Sequence, residues 1–442
     1  MISHSHPSGG LPIGATVLPA TKWSRFLAPL VALGLLAACS SGSDTADETG
    51  SPSASASEPA FAAALETQIP EVMKQNAIPG AIVLIKTRDQ GDWSATFGTQ
   101  EIGKDVPMSM DDHFRIGSNT KTMTVTVILQ LLQEGELKLD DPISKYRPDV
   151  PNGKNITLAQ LAEMRSGLYS YTSSKAFNQT LDDDPQKAWT PDELLKIAFK
   201  KPPLFPPGKK YNYSNTNLIL LGEVIEELTG MSAAEAFSEM IFSPLGLDQT
   251  MLPEATDSSI PEPHPQGYQF GTNVEDIDSY AVPAAQLPDA LDGTLPPINN
   301  TDSNPSWAWT AGGAISNAED LANYVQAMVG GGLLDAKIQK MRLDSIKPIA
   351  PGSPIGYGLG LVEFAKNLYG HDGQIPGFSS FMAYDPVAGN TIIIGLNLSA
   401  SPVNGENAAV VIGKVVISEL YGASAVPGGD PAGSGSATPS AS

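Results

Sequence analysis

Residues 114–135 read FRIGSNTKTMTVTVILQLLQEG, and this stretch decides how the rest of the chain is read. From Met123 onward it is apolar nearly all round: Met123, Val125, Val127, Ile128, Leu129, Leu131 and Leu132. A helix of that composition is a buried one. Its first turn nevertheless carries Ser118, and Lys121 follows one turn later, heading into a core. Positions i and i+3 share a helix face, so Lys121 approaches the Ser118 oxygen. A serine hydroxyl is a weak nucleophile that needs a neighbouring base. Burial lowers the pKa of a lysine and frees its amine to accept a proton. The helix N-terminus adds free N–H groups and a positive dipole end, both suited to a developing oxyanion. Ser-x-x-Lys alone is a weak pattern, since a surface lysine near an N-cap serine spells the same letters.

A chain of 442 residues with 41% hydrophobic content can bury a substantial core. Its net charge of −22 argues against nucleic acid and against electrostatic binding to anionic lipid, because both need basic patches. Lys22 and Arg25 precede an apolar run, Phe26 to Ala38. At 1.5 Å per residue that run spans roughly 20 Å, short of a bilayer core of about 30 Å, and it fits the apolar region of a secretory signal. It ends in Leu36-Ala37-Ala38-Cys39, which resembles the lipobox of bacterial lipoproteins. The resemblance implies cleavage before Cys39, lipid on its thiol, and a protein held on the outer side of the cell membrane. The bland alternative is a small buried cysteine after a plain signal. With Cys39 the single cysteine of the chain, packing and not an internal disulfide must hold the fold.

Composition then divides the chain into a signal (1–38), a small, polar, acidic tether (39–60), a folded domain (61–422) and a Gly/Ser/Pro-rich tail (423–442). Early in the domain an amphipathic helix, about 61–75, precedes GAIVLIKT and DWSATFGT, read as a hairpin. Near its end GFSSFMAYDP and NTIIIGLNLS read as two more strands, closed by a helix over about 406–420. Between them ITLAQLAEMRSG, TPDELLKIAFKK, TNLILLGEVIEELTG and SAAEAFSEMIFSPLG carry helical periodicity, and Ser232 with Glu235 forms a capping box. The expected architecture is α/β: an antiparallel sheet flanked by terminal helices (61–117 and 340–422) with an inserted, mainly helical lobe (118–339). Clefts between two such lobes are common binding sites.

From Tyr211 to Ala336 there is no Lys or Arg, against 18 Asp and Glu. Within that stretch residues 261–305 are Pro-rich and aperiodic, which suggests an ordered long loop over the helical lobe. A solvated acidic surface explains the charge; an acidic rim that attracts cationic substrates, or disfavours anionic ones, explains it too.

Two more short motifs accompany Ser118-Asn119-Thr120-Lys121. Tyr213-Ser214-Asn215 is the one Tyr-x-Asn in the chain and precedes a helix beginning near Asn217. His371-Asp372-Gly373 is the one His-x-Gly and stands just ahead of the strand GFSSFMAYDP. In this order the three motifs resemble those of the penicillin-recognising serine hydrolases, the superfamily of penicillin-binding proteins and serine β-lactamases. The branch most similar is that of class C β-lactamases and D-alanyl-D-alanine carboxypeptidases. LQEGELKLDDPISKY, YNYSNTNLILLGEVIEELTG, AGGAISNAEDLANY and GHDGQIPGFSS extend the resemblance over about 80–400. It implies a β-lactamase/transpeptidase-like fold and no cofactor or metal. It further implies Ser118 as the acylated nucleophile, with Lys121 and Tyr213 sharing proton transfer. Asn215 would hydrogen-bond the substrate's amide, and His371 of the His371–Gly373 motif would bind substrate and tune Tyr213. The backbone N–H groups of Ser118 and Gln374 would form the oxyanion hole.

Two departures bear on the substrate. Met164 stands where many relatives have a histidine, so the local helix contact must differ. A histidine in the third motif is uncharged near neutral pH unless a neighbour raises its pKa. Release of D-alanine needs a cation for the terminal carboxylate, and the stretch before the motif offers Lys366 but no arginine. The expected activity is therefore a serine hydrolase acting on a D-Ala-D-Ala-type peptide such as a peptidoglycan stem peptide, a β-lactam, an amide or an ester. The alternatives are an esterase with little peptidase activity, or a scaffold lipoprotein that has lost turnover. A lipase elbow, Gly-x-Ser-x-Gly, is missing, as is His-Glu-x-x-His among five histidines. The oligomeric state is left open.

Overall fold

Two β-branched runs from the start of the domain and two from its end lie side by side in the computed structural model, which describes residues 58–426. Cys39, the signal 1–38 and nearly all of the expected tether lie outside the described residues. The runs form β1 (Gly80–Lys86), β2 (Trp93–Gly98), β7 (Phe378–Asp385) and β8 (Asn390–Leu396). The later half of the chain adds β3 (Lys347–Pro348), β4 (Gly356–Tyr357), β5 (Val362–Ala365) and β6 (Leu368–Ile375). Together they make one antiparallel sheet of eight strands in the order β2-β1-β8-β7-β6-β5-β4-β3. First and last strands pair directly, Ala81 opposite Leu396 and Lys86 opposite Thr391, so the two chain ends knit the sheet.

Strand alternation shows which helix covers which face. On β7 Phe381 and Tyr384 point to opposite sides. A Cβ at Gly413 of the C-terminal helix α6 (Ala408–Tyr421) would lie 3.5 Å from the Phe381 ring. One at Gly330 of α5 (Ala318–Gly330) would lie 3.2 Å from Tyr384, and Gln326 of α5 donates to Thr391 at 2.8 Å. Helix α6, with α1 (Ala62–Gln75) beside it, covers one face and α5 the other. Strands covered on both sides become continuous apolar runs, hence Ile392, Ile393 and Ile394. Because α5 lies on the sheet, the boundary expected at 339/340 falls too late. The tail expected from 423 starts too early: Ala423–Ala425 forms a 3-10 turn and Val426 packs against the core.

The helical lobe centres on α2 (Thr120–Glu134) and α4 (Asn215–Thr229), each ending on a left-handed glycine, Gly135 and Gly230. ITLAQLAEMRSG yields only Leu158–Ala162, headed by a Thr157/Gln160 capping box and followed by Met164 at positive φ. Ser232 and Glu235 do form the expected box, ahead of Ala233–Phe237. The aperiodic segment 261–305 departs from its expected place over the helical lobe alone. Tyr268 N–H donates to Gly377 and Asn397 carbonyls at the end of the sheet, and Val282 N–H to Pro402. At the other side Asp182, on α3 (Lys175–Asp183), accepts from Asn273 and Val274 N–H. The segment is a strap from one lobe to the other. Among the described residues no helix is long and apolar enough to cross a membrane.

Candidate active site

Ser118 sits in a 3-10 turn, Gly117–Asn119, that leads into α2. Two glycines let this turn press against strand β6. Gly117 takes φ +51, and a Cβ there would lie 2.6 Å from the Gln374 nitrogen. A Cβ at Gly373 would meet the Ile116 carbonyl at 1.9 Å, so the third motif needs its glycine for close approach. Asn119 Nδ2 donates to Ser380 Oγ at 2.7 Å, and Ser380 in turn donates to the Ile116 carbonyl at 2.8 Å. The Ser118 turn is thus pinned to the sheet, with the backbone of Gln374 alongside.

Lys121 is fully buried. Its Nζ lies 2.8 Å from Ser118 Oγ and 2.6 Å from the Ala311 carbonyl. Burial holds its pKa well below the usual lysine range, while the Asp372 carboxyl pulls the other way. The neutral amine is therefore the accessible form, which suits a base. Tyr213 closes the other side: Lys121 Nζ is 4.8 Å from its ring centroid, and both Tyr213 and Ser118 line the cleft. Burial, reinforced by Tyr357, raises the phenol well above its normal value. Tyr213 stays protonated.

His371 is brought to Tyr213, but behind it. It lies inside β6, the strand just ahead of β7, and is 2% exposed. Its ring centroid is 6.3 Å from that of Tyr213; Nε2 lies 3.2 Å from Tyr357 Oη and Nδ1 2.6 Å from the Asp372 carbonyl. Burial, with Lys121 adding to it, pushes His371 down to about 3. No neighbour rescues its charge, and it does not line the cleft, so the cation that the sequence left open is not supplied here.

Asn215 opens α4 and faces the cleft, its Nδ2 donating to Thr172 Oγ1 at 3.2 Å and its backbone N–H to Ser170 at 3.1 Å. The Met164 departure also has an answer. Its sulfur accepts from Ser214 N–H and from Asn217 Nδ2, both at 3.5 Å, and so ties the second motif's helix start to this turn.

The cleft in front of Ser118 is walled by Tyr213, Asn215, Gln374, Phe177, Trp307 and the strap. No Lys or Arg is among its lining residues. Lys366, the cation suggested by the sequence, is exposed in the β5–β6 turn and away from the cleft. Two polar atoms on lining residues, Gln374 Nε2 and Ser399 Oγ, are buried without a partner.

With this geometry in place the similarities of the chain acquire meaning. The Beta-lactamase family model matches residues 65–416. The chain belongs to the β-lactamase family of serine hydrolases. Among solved structures it resembles a D-stereospecific amidohydrolase from Streptomyces sp., with 32% identity, 81% of this chain and 98% of that one covered, and a TM-score of 0.68. A D-amino acid amidase from Ochrobactrum anthropi SV3, in complex with L-phenylalanine, gives 26% identity, the same coverage and a TM-score of 0.65. A putative penicillin-binding protein PbpX from Bacillus subtilis (strain 168) is 27% identical over 64% of this chain. The chain spans 61–63% of the length of the curated relatives it matches first.

Sequence reasoning missed three residues of the site. Tyr357, from the short strand β4, packs edge-on to both His371 and Tyr213; nothing in PIGYGLG signals that. Asp372 lies within the quoted motif, is pushed up to about 7 by burial and receives 3.1 Å from Asn407 Nδ2. Asp276 enters from the strap.

Proposed function

We propose that the protein is a lipid-anchored, extracytoplasmic amidase or esterase that acylates Ser118 and prefers substrates with no free carboxylate at the leaving end. The observation that carries this reading is the charge of the cleft: no Lys or Arg lines it, His371 is neutral, and Asp276 and Asp372 stand on its wall. A substrate carboxylate would meet no counter-charge there and two carboxyl groups. A neutral amide or ester meets no such penalty. The two amidohydrolase neighbours agree with this choice over a D-alanyl-D-alanine carboxypeptidase. The lipobox around Cys39 supports the anchor, and cell-wall peptides presenting amides are the natural class of partner.

In this reading Lys121 takes the Ser118 proton as the oxygen attacks the carbonyl carbon. The N–H groups of Ser118 and Gln374 receive the oxyanion. Tyr213, kept as a phenol, passes its proton to the leaving nitrogen or oxygen and is resupplied from Lys121. Asn215 bonds the substrate's amide, and water then releases the acyl group by the reverse route. The test is a substrate panel: D-phenylalanine amide, p-nitrophenyl esters, D-Ala-D-Ala peptides and a chromogenic cephalosporin. Intact-mass labelling by a fluorophosphonate and a penicillin runs alongside, with Ser118→Ala as control. Amides and esters are expected to outrun the free-carboxylate peptides at least 10-fold in kcat/KM, with labelling absent in the variant. Faster release of D-alanine, or no label on Ser118, overturns the reading.

A further inference from the structure

The strap carries a carboxyl group whose surroundings leave it without a structural task. Segment 272–276 forms a turn, with Asp276 N–H donating to the Thr272 carbonyl at 3.0 Å. The carboxylates beside it are occupied. Glu275 accepts from Thr272 N–H and Oγ1, and Asp182 accepts from Asn273 N–H, Asn273 Nδ2 and Val274 N–H. Asp276 is 8% exposed, and among the described residues no donor pairs with its carboxyl. Asp276 lines the cleft that holds Ser118.

A mostly buried carboxylate without hydrogen bonds or a counter-ion is costly, and proteins that gain nothing from one neutralise or pair it. Burial, with Asp182 and Glu275 beside it, pushes this group up to about 8, as befits an acid lacking a cation. The surface around it is also specific. Phe177 and Trp307, their ring centroids 5.9 Å apart, line the same cleft together with Ile277 and Tyr280. Aromatic walls in the same cleft as an unpaired carboxyl group suit an organic ammonium, whose carbon stem packs on rings while its charge meets an acid.

We propose that Asp276 is a specificity-determining residue that receives a protonated amine of the substrate, so that the enzyme selects amides or esters bearing a free amino group over their N-acylated forms. This rests on the hydrolase reading of Ser118 and names its substrate class. It also gives the acidic stretch Tyr211–Ala336 one local purpose, distinct from its general solvation.

The test is competition at the nucleophile of the full chain. Phosphonylation of Ser118 by a fluorophosphonate is followed by intact mass in the presence of butyl-, hexyl- or benzylammonium, and of the alcohols of the same shape. At least one ammonium is expected to protect at a concentration 10-fold or more below that of its alcohol. Asp276→Asn brings the pair to parity, while Asp278→Asn, an exposed acid on the same strap, leaves the preference intact. Equal protection by ammonium and alcohol in the unaltered protein overturns the proposal, whatever becomes of the variants. A preference that survives Asp276→Asn, or that falls equally in Asp278→Asn, overturns it as well, the latter in favour of a diffuse acidic field. Calorimetric titration of Ser118→Ala with the same pairs reads the preference without chemistry at Ser118. Its failure is thereby separable from failure of the hydrolase reading.

Discussion

Helices α2 and α4 are alike in outline and opposite in how they are held. Each has 15 residues, is buried along most of its length, ends on a left-handed glycine and opens at its N-terminus onto the cleft. One delivers Ser118 and Lys121, the other Tyr213 and Asn215. Helix α4 is held mainly by apolar packing, with Leu218, Ile219, Leu220 and Leu221 all buried; its first turn is tied through Thr216 and Asn217, and further along Glu223 pairs with Arg147 and Glu226 accepts from Ala233 N–H at 3.0 Å. Helix α2 instead carries a buried polar stripe. Thr122 Oγ1 meets Tyr324 Oη at 2.9 Å, and Arg342, itself fully buried, donates to Thr126 Oγ1 at 2.8 Å and to the Thr122 carbonyl at 3.2 Å. Apolar packing alone tolerates small slides of a helix, whereas directional hydrogen bonds fix its rotation and depth. The helix that holds Lys121 Nζ 2.8 Å from Ser118 Oγ, the proposed base and nucleophile, is the one so anchored.

The sharpest way to break this contrast is Lys121→Met. Removing the base is expected to lower kcat/KM by about 10³-fold or more, at the scale of general-base loss. The same change removes a buried amine, so stability is expected to hold or rise by about 1 kcal/mol, read by urea unfolding. A large loss of stability would show that Lys121 is part of the anchor. Tyr213→Phe tests the other helix and is expected to cost about 10²-fold in kcat with little change in KM. Arg342→Met tests the anchor itself. It leaves Thr126 Oγ1 and two backbone carbonyls, of Thr122 and Leu359, without their cationic donor, at an expected cost of about 2–4 kcal/mol. Activity at temperatures below unfolding should fall with it; an equal cost from Leu220→Ala without loss of rate would sharpen the distinction.

The smallest expected effect is in pH dependence. His371, lowered to about 3, leaves the unfolded chain to bind a proton that the fold refuses, so its contribution is lost as pH falls below about 6.5. Asp372, raised to about 7, binds a proton that the unfolded chain releases, so its contribution is lost as pH rises above about 4. The two slopes oppose one another between about pH 4 and 6.5. Relative to the unaltered protein, His371→Gln should lose stability as pH rises through that window. Asp372→Asn should lose it as pH falls, and denaturant midpoints taken at half-unit steps will read both.

Much of the fold was legible in the sequence because its signals are local. The hairpin β1–β2, the pair β7–β8, the terminal helices and the Ser232/Glu235 box each follow from periodicity, turn residues or a cap within a few positions. The short strands β3 to β5 were not legible: Gly356–Tyr357 and Lys347–Pro348 are strands only because neighbours pair with them. The placement of α5 on the sheet was missed for a related reason, since an amphipathic helix does not state which apolar surface it will cover. The strap was recognised as ordered, but its two attachment points, at Gly377 and Asn397 on the sheet and at Asp182 on α3, connect residues far apart in the chain.

By itself the sequence determined the grouping proposed as reactive. Four residues of one helical turn set Ser118 beside Lys121, and a glycine two places after His371 lets a strand lie against that turn, because these are matters of spacing and backbone geometry. Tertiary structure decided what the groups are chemically. Whether Lys121 is an amine, His371 an uncharged ring, Tyr213 a phenol, or the cleft hostile to anions depends on desolvation by residues from every part of the chain. Burial is a property of the assembled packing, and no short stretch of sequence contains it.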